Sequence, residues 1–131
     1  MSAIQTYAHP AGRILLALVF IVAGLGKLGD VQGFAGYMAS GGLPAILAWP
    51  AIAFEIVAGL ALLVGFQTRI TALALAGFSI VTAIMFHFVP ADQMQMAIFF
   101  KNFAMAGGYL MLVAHGAGAW SLDNLQRPVL A

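Results

Sequence analysis

Five polar side chains interrupt apolar stretches of the sequence and could carry chemistry there. Glu55, Lys27 and Lys101 are charged, and His87 and Asn102 add further hydrogen-bonding groups. A charge within hydrocarbon costs at least about 2.5 kcal/mol, so each charged group needs a partner, a ligand or water. Ionisable residues in such surroundings are functional candidates, and these five residues therefore form the predicted site.

Two interpretations of these residues stay open from the sequence. In the first, Glu55 and one lysine form a buried ion pair that fixes the register of two helices, while the other lysine extends outward to Asp30 or Asp92. In the second, a surplus positive charge, together with His87 and Asn102, receives a quinone carbonyl or a small anion.

The second interpretation gives each residue a role. Lys27, Lys101 and Asn102 are predicted to bind the ligand. Glu55 and His87 are predicted to be catalytic, because His87 or a lysine would donate a hydrogen bond to the carbonyl and Glu55 would accept or relay a proton.

The composition predicts the elements that must position these groups. Of the 131 residues, 63% are hydrophobic and only 7% are charged, whereas a soluble domain carries roughly 25% charged residues. A helical span needs about 20 mostly apolar residues, and the continuous runs rich in Leu, Ala and Gly favour helices over the alternating strands of a barrel. The predicted spans are about 11–29, 44–65, 70–89 and 94–114.

A shorter helix is predicted between the first two spans. Apolar residues recur at helical spacing from 31 to 38, with Asp30 suited to cap the start and Gly41 to end the helix. We expect this segment to lie on the membrane surface. The sequence thus predicts a single-domain, all-α integral membrane protein, in which four transmembrane helices form an antiparallel bundle.

The rise of 1.5 Å per helical residue predicts the depth of the site. Lys27, His87 and Lys101 should lie in the outer half of the bundle, with Glu55 closer to the middle. Small residues mark close helix contacts in membranes. Within a turn of the charged positions they are Ala23, Gly24, Ala58, Gly59 and Ala104.

The few charges also predict an orientation. Four spans place both termini on one side together with Arg13, Arg69 and Arg127, and the positive-inside rule makes that side cytoplasmic. No positive charge precedes the first span and no clear small-residue cleavage site follows it, so we expect this span to be retained. The predicted location is the cytoplasmic, or inner, membrane of a prokaryote.

Several function classes are disfavoured by composition. The chain has no cysteine for a disulfide, a thiolate metal site or a dithiol relay, and its net charge of +1 gives no basic patch for nucleic acid. His9 and His115 are predicted at the inner face and His87 at the outer, so no pair is placed to hold haem. We predict no haem, flavin or metal, and we attribute the methionines to packing.

The order and spacing of these features resemble the DoxX family of small four-helix membrane proteins. The resemblance extends from Arg13 to Asp123 and rests on Arg13, Phe20, Gly24, Lys27, Leu28, Glu55, Gly59, Leu62, Gly65, His87, Lys101, Asn102, Gly107, Gly108, Gly116, Gly118, Ser121, Leu122 and Asp123. Members are usually described as oxidoreductases, and the family name comes from the small subunit of a thiosulfate:quinone oxidoreductase. The resemblance therefore implies quinone chemistry, and it links some members to oxidative-stress complexes with soluble partners.

Three functions are consistent with this sequence. The leading hypothesis is a membrane subunit of an oxidoreductase system that binds a quinone and works with a soluble or membrane redox partner. The alternatives are a small proton-coupled transporter that uses Glu55, although no inverted repeat is evident, and a non-catalytic structural or assembly subunit. Homo-oligomerisation stays open. Bound quinone would favour the first function, and proton-driven flux would favour the second.

Overall fold

A computed structural model describes residues 2–126, and Arg127 lies outside that range. The described residues form six α-helices, two of which are extended by short turns of another helical type. They are α1 (Ala3–Leu28), α2 (Val31–Ser40), α3 (Ala48–Val64), α4 (Thr68–Thr82), α5 (Gln93–His115) and α6 (Leu122–Gln126). A 3₁₀ turn, Ala45–Leu47, leads into α3, and a π-helical turn, Ala83–His87, continues α4.

Four helical segments of the described chain are long and apolar enough to cross a membrane. They are Ala3–Leu28, Ala45–Val64, Thr68–His87 and Gln93–His115. The all-α membrane fold predicted from composition is therefore confirmed. Helix α1 begins well before the predicted span because Ser2 and Gln5 form a capping box, in which the Ser2 hydroxyl accepts from the Gln5 amide at 3.2 Å.

Local capping chemistry defines α2 as predicted. The Asp30 side chain accepts a hydrogen bond from the Gly33 amide at 2.9 Å, which satisfies one free donor of the first turn. The helix stops at Gly41. The segment between the first two membrane spans is thus a short helix with both ends at the predicted residues.

The four long helices pack mainly as two antiparallel pairs, α1 with α3 and α4 with α5. Gly59 allows the closest approach of the first pair, because a Cβ there would lie 2.7 Å from Ile21 Cγ1 and 3.1 Å from the Ile21 amide nitrogen. Tyr109 of α5 joins the two pairs by donating its hydroxyl to the Leu16 carbonyl of α1 at 2.8 Å. The close approach of α1 and α3 at Gly59 confirms the predicted contact there.

One end of the bundle, which we call the terminal end, gathers the start of α1, the α3–α4 turn and α6. Arg13 is only 1% exposed there and donates to the carbonyls of Ala117 at 2.5 Å and Trp120 at 2.9 Å. Asp123 accepts from the Gln67 and Thr68 amides, each at 2.8 Å, at the start of α4.

These contacts correct the expectation for Arg13. The sequence treated it as a positive charge at a membrane exit, but the structure buries it against carbonyl groups of the chain that follows α5. Arg69, used for the same topology rule, donates to the Val113 and Ala114 carbonyls at 2.9 Å each. Both arginines therefore stabilise helix ends, and the cytoplasmic orientation of the termini stays a prediction.

Candidate binding pocket

A cavity of about 510 Å³ lies at the opposite end of the bundle, which we call the pocket end. Residues from α1, α2, α3, α4 with its π-helical turn, and α5 form its wall. All five residues of the predicted site line this one cavity: Lys27, Glu55, His87, Lys101 and Asn102. The sequence-based placement of these side chains around a common space therefore agrees with the structure, while their roles stay predictions.

Glu55 and Lys27 form an ion pair across the α1–α3 contact. The Lys27 ammonium lies 2.7 Å from Glu55 Oε1 and 2.8 Å from Oε2. Gly24, one turn before Lys27, allows this approach, since a Cβ there would lie 2.6 Å from Ile56 Cγ1 and 3.4 Å from Glu55 Cβ. Lys27 also lies 4.7 Å from the centre of the Phe34 ring. Of the two lysines, the structure pairs Lys27 with the carboxylate.

Lys101 is the surplus cation at the cavity. Its side chain is exposed and makes no hydrogen bond or salt bridge to any residue between 2 and 126. The outward partners considered from the sequence are not used: Asp30 caps α2, and Asp92 caps α5 by accepting from the Met94 and Gln95 amides. The prediction that Ala104 marks a close contact beside Lys101 is wrong, since Ala104 is exposed.

Asn102 is oriented by α4. Its amide nitrogen donates to the Ser79 carbonyl and to the Thr82 hydroxyl oxygen, each at 3.3 Å. Thr82 directs its own hydroxyl hydrogen to the Phe78 carbonyl at 2.9 Å, so it accepts from Asn102. Ser79 likewise donates its hydroxyl hydrogen to the Leu75 carbonyl of the same helix at 2.8 Å.

His87 ends the π-helical turn, and the sequence gave no sign of this turn. Such widened turns are rare and often occur at functional sites. His87 Nδ1 lies 2.8 Å from Gln95 Oε1 on α5. An amide oxygen can only accept, so with this orientation of the Gln95 amide the imidazole hydrogen lies on Nδ1. The Nε2 atom of the neutral ring is then a hydrogen-bond acceptor.

Helix α2 covers the cavity, a function that the sequence did not indicate. Phe34, Tyr37 and Met38 project from one face of α2 into the cavity wall, and Met38 is buried. Tyr37 stacks on Phe86 at a centroid distance of 5.0 Å. Gly41 leaves space for the Phe86 ring, which a side chain at that position would meet. The helical spacing of Phe34, Tyr37 and Met38 was the available signal for this cover. From the sequence, it indicated only a helix that lies on the membrane surface.

The other two histidines lie at the terminal end, as predicted. His9 Nε2 is 2.8 Å from the Gly116 carbonyl, and His115 ends α5 with an exposed side chain. Neither lines the cavity. Their separation from His87 follows from the topology, because α1 begins and α5 ends at the terminal end.

Comparison with known proteins identifies the family of this bundle. The DoxX family model matches residues 9–88, which is more than half of the chain. The chain belongs to the DoxX family. The match includes Lys27, Glu55 and His87, whereas Lys101 and Asn102 of this DoxX protein lie beyond the matched range.

Two relatives extend the similarity through most of α5. The inner membrane protein YqjF of Escherichia coli strain K12 is 42% identical over 113 residues, which are 86% of this chain and 87% of the relative. The inner membrane protein YphA of the same organism is 35% identical over 119 residues, or 86% of this chain and 85% of the relative. No solved structure matches. The names of these relatives agree with a membrane location for this DoxX protein.

Proposed function

We propose that this DoxX-family protein is the membrane subunit of an oxidoreductase system and that its cavity binds the head group of a quinone. Lys101 carries the proposal. Lys101 lines a mostly apolar cavity and its ammonium group has no partner within residues 2–126, so a ligand oxygen can accept a hydrogen bond from it. An amphiphile with a polar head and an apolar body fits this combination.

The charges around the cavity favour a neutral or weakly anionic head group. Lys27 and Glu55 compensate each other at 2.7 Å, which leaves one net positive charge from Lys101. This charge would also attract a small anion. The aromatic wall of Phe34, Tyr37 and Phe86 supports a planar, apolar ligand more strongly than a hydrated ion.

The ion pair defines a role for Glu55 in this proposal. Both of its oxygens accept from Lys27, so the carboxylate fixes the lysine at the cavity wall. Proton relay by Glu55 stays a prediction and would require Lys27 to release one oxygen. The same pairing gives no support to the alternative of proton-coupled transport, because Lys27 occupies both oxygens of Glu55 and no other carboxylate of residues 2–126 lines the cavity.

A redox partner is part of the proposal because the lining side chains can bind or protonate a quinone but cannot supply electrons. The chain contributes no cysteine for thiol chemistry. Electrons would come from a reduced substrate or from a second subunit, soluble or in the membrane. With the termini in the cytoplasm, the cavity would open toward the outer half of the bilayer.

The test is binding of a short-chain quinone, decylubiquinone, to the full chain in lipid nanodiscs. Lys101→Met should weaken binding by about tenfold, which corresponds to the loss of one hydrogen bond from a charged donor. Lys101→Arg should retain most of the affinity, and Gln93→Met, an exposed position on α5 outside the cavity, is the matched control. Equal affinities of Lys101→Met and wild type would remove the basis of the proposal. If millimolar phosphate or sulfate displaces the quinone, the result would favour a small anion as the ligand of this cavity.

A further inference from the structure

The polar groups of the cavity differ in whether they can donate or accept a hydrogen bond after their internal bonds are counted. Lys101 provides donors only. Lys27 directs its ammonium to both oxygens of Glu55. The acceptors that remain are His87 Nε2 and Asn102 Oδ1, neither of which has a hydrogen-bond partner among residues 2–126. Tyr37 also lines the cavity, but its hydroxyl can donate or accept and so does not discriminate between ligand forms.

His87 lines the cavity and can offer an acceptor there. With Gln95 Oε1 as the acceptor at 2.8 Å, the imidazole hydrogen lies on Nδ1. The neutral ring then has a lone pair and no hydrogen on Nε2. A ligand carbonyl cannot bond to this atom, whereas a ligand hydroxyl can donate to it.

Asn102 is likewise left with an acceptor. Both hydrogens of its amide group are used, by the Ser79 carbonyl and by the Thr82 oxygen. Exchange of the amide oxygen and nitrogen would place Oδ1 against the Ser79 carbonyl oxygen, with no hydrogen between the two acceptors. The backbone therefore fixes the orientation of the Asn102 amide. The remaining group, Oδ1, accepts.

We infer that the cavity prefers the reduced form of its ligand, a quinol, over the oxidised quinone; this inference rests on the proposed function. A quinol carries hydroxyl groups that can donate to His87 Nε2 or Asn102 Oδ1, and its oxygens can still accept from Lys101. A quinone carries only carbonyl acceptors. It would satisfy Lys101 and leave both other groups facing an apolar ligand without a donor, which costs affinity.

The preference should be measurable as a ratio of dissociation constants. One acceptor left unsatisfied against the bound ligand is enough for a preference of about tenfold. The corresponding dimethyl ether of the quinol has no donor, so it should bind no more tightly than the quinone. The quinol and the quinone share all ring substituents and differ at the two oxygens, and the ether keeps the aromatic ring but replaces each hydroxyl hydrogen by a methyl group. Weaker binding of both the quinone and the ether therefore points to the hydroxyl hydrogens.

The experiment measures binding of decylubiquinol, decylubiquinone and the quinol dimethyl ether to the wild-type full chain in nanodiscs, under anaerobic conditions. The quinol should bind about tenfold more tightly than the other two. Asn102→Leu should lower the quinol preference, measured as the ratio of the quinone and quinol dissociation constants, while Lys101→Met should weaken binding of both ligands. Gln93→Leu, on the same helix outside the cavity, serves as the control.

The outcomes separate this inference from the proposed function. Equal or tighter binding of the quinone to the wild-type protein would overturn the quinol preference and leave the proposed quinone site standing. Absence of binding by all three ligands would overturn both. The wild-type comparison needs no variant, so it stays decisive even where Asn102→Leu reduces the yield of folded protein.

Discussion

The Lys27–Glu55 ion pair predicts an unequal effect of removing its two members. Lys27→Met leaves a carboxylate whose side chain is 2% exposed, and Glu55→Gln leaves an ammonium group whose side chain is 30% exposed. The lysine can reach water along its flexible stem and retains the Phe34 ring at 4.7 Å. The carboxylate has no comparable route, so the loss of Lys27 should be the more damaging change.

Magnitudes follow from these exposures. Leaving a buried charge without its partner costs about 3–5 kcal/mol of stability. Lys27→Met should lower the free energy of unfolding by about 3 kcal/mol, because one member of the pair is partly exposed. Glu55→Gln should cost about 1.5 kcal/mol, the scale of a hydrogen bond to a charged group. The double variant leaves no charge behind. It should therefore be more stable than the sum of the single effects by about 1.5–3 kcal/mol.

The assay is reversible unfolding of the four proteins of this cycle in mixed micelles, followed by circular dichroism. Lys101→Met is the matched control. Lys101 lines the same cavity but has no ion-pair partner among residues 2–126. This variant should change the free energy of unfolding by no more than about 0.5 kcal/mol. Strict additivity of the two single effects, or a larger loss in Glu55→Gln than in Lys27→Met, would refute this reasoning.

Two further predictions concern topology and helix packing. Both termini are expected in the cytoplasm, so an impermeant thiol reagent should label Ser40→Cys in intact cells and should not label Ser2→Cys or Asn124→Cys. All three sites are exposed. Labelling of Ser2→Cys and Asn124→Cys, without labelling of Ser40→Cys, would show the opposite topology. Gly59→Ala should destabilise the bundle by about 1–3 kcal/mol since its Cβ would meet α1, whereas Gly77→Ala, which meets nothing within 4 Å, should be neutral or slightly stabilising in the same unfolding assay.

The fold was predictable because its main determinants are local. Apolar length specifies the membrane spans, and the caps of α2 at Asp30 and Gly41 depend on neighbouring residues alone. The depth of the polar residues follows from the constant rise of a helix. Lys27, His87 and Lys101 could therefore be assigned to the outer half of the bundle, with Glu55 closer to the middle, before any contact was known.

The partners of those residues were not predictable, because they depend on how each helix is rotated about its axis. Gly24 brings α1 close to α3 and thereby selects Lys27 for Glu55, whereas the sequence offered two equivalent lysines. The acceptor character of His87 depends on Gln95 and on a π-helical turn, neither of which has a recognisable pattern. The same rotation explains why Ala104 faces outward despite its small side chain.

The two ends of the bundle use their polar groups in different ways, and this bears on which changes should impair folding. At the terminal end, Arg13 and Asp123 bond to backbone groups of distant segments, so their side chains hold the chain together. At the pocket end, Lys27, His87 and Asn102 bond to groups on neighbouring helices, while Lys101 has no partner among residues 2–126. A ligand can therefore gain binding energy at the pocket end without breaking a structural contact, and the residue that should separate binding from folding is Lys101.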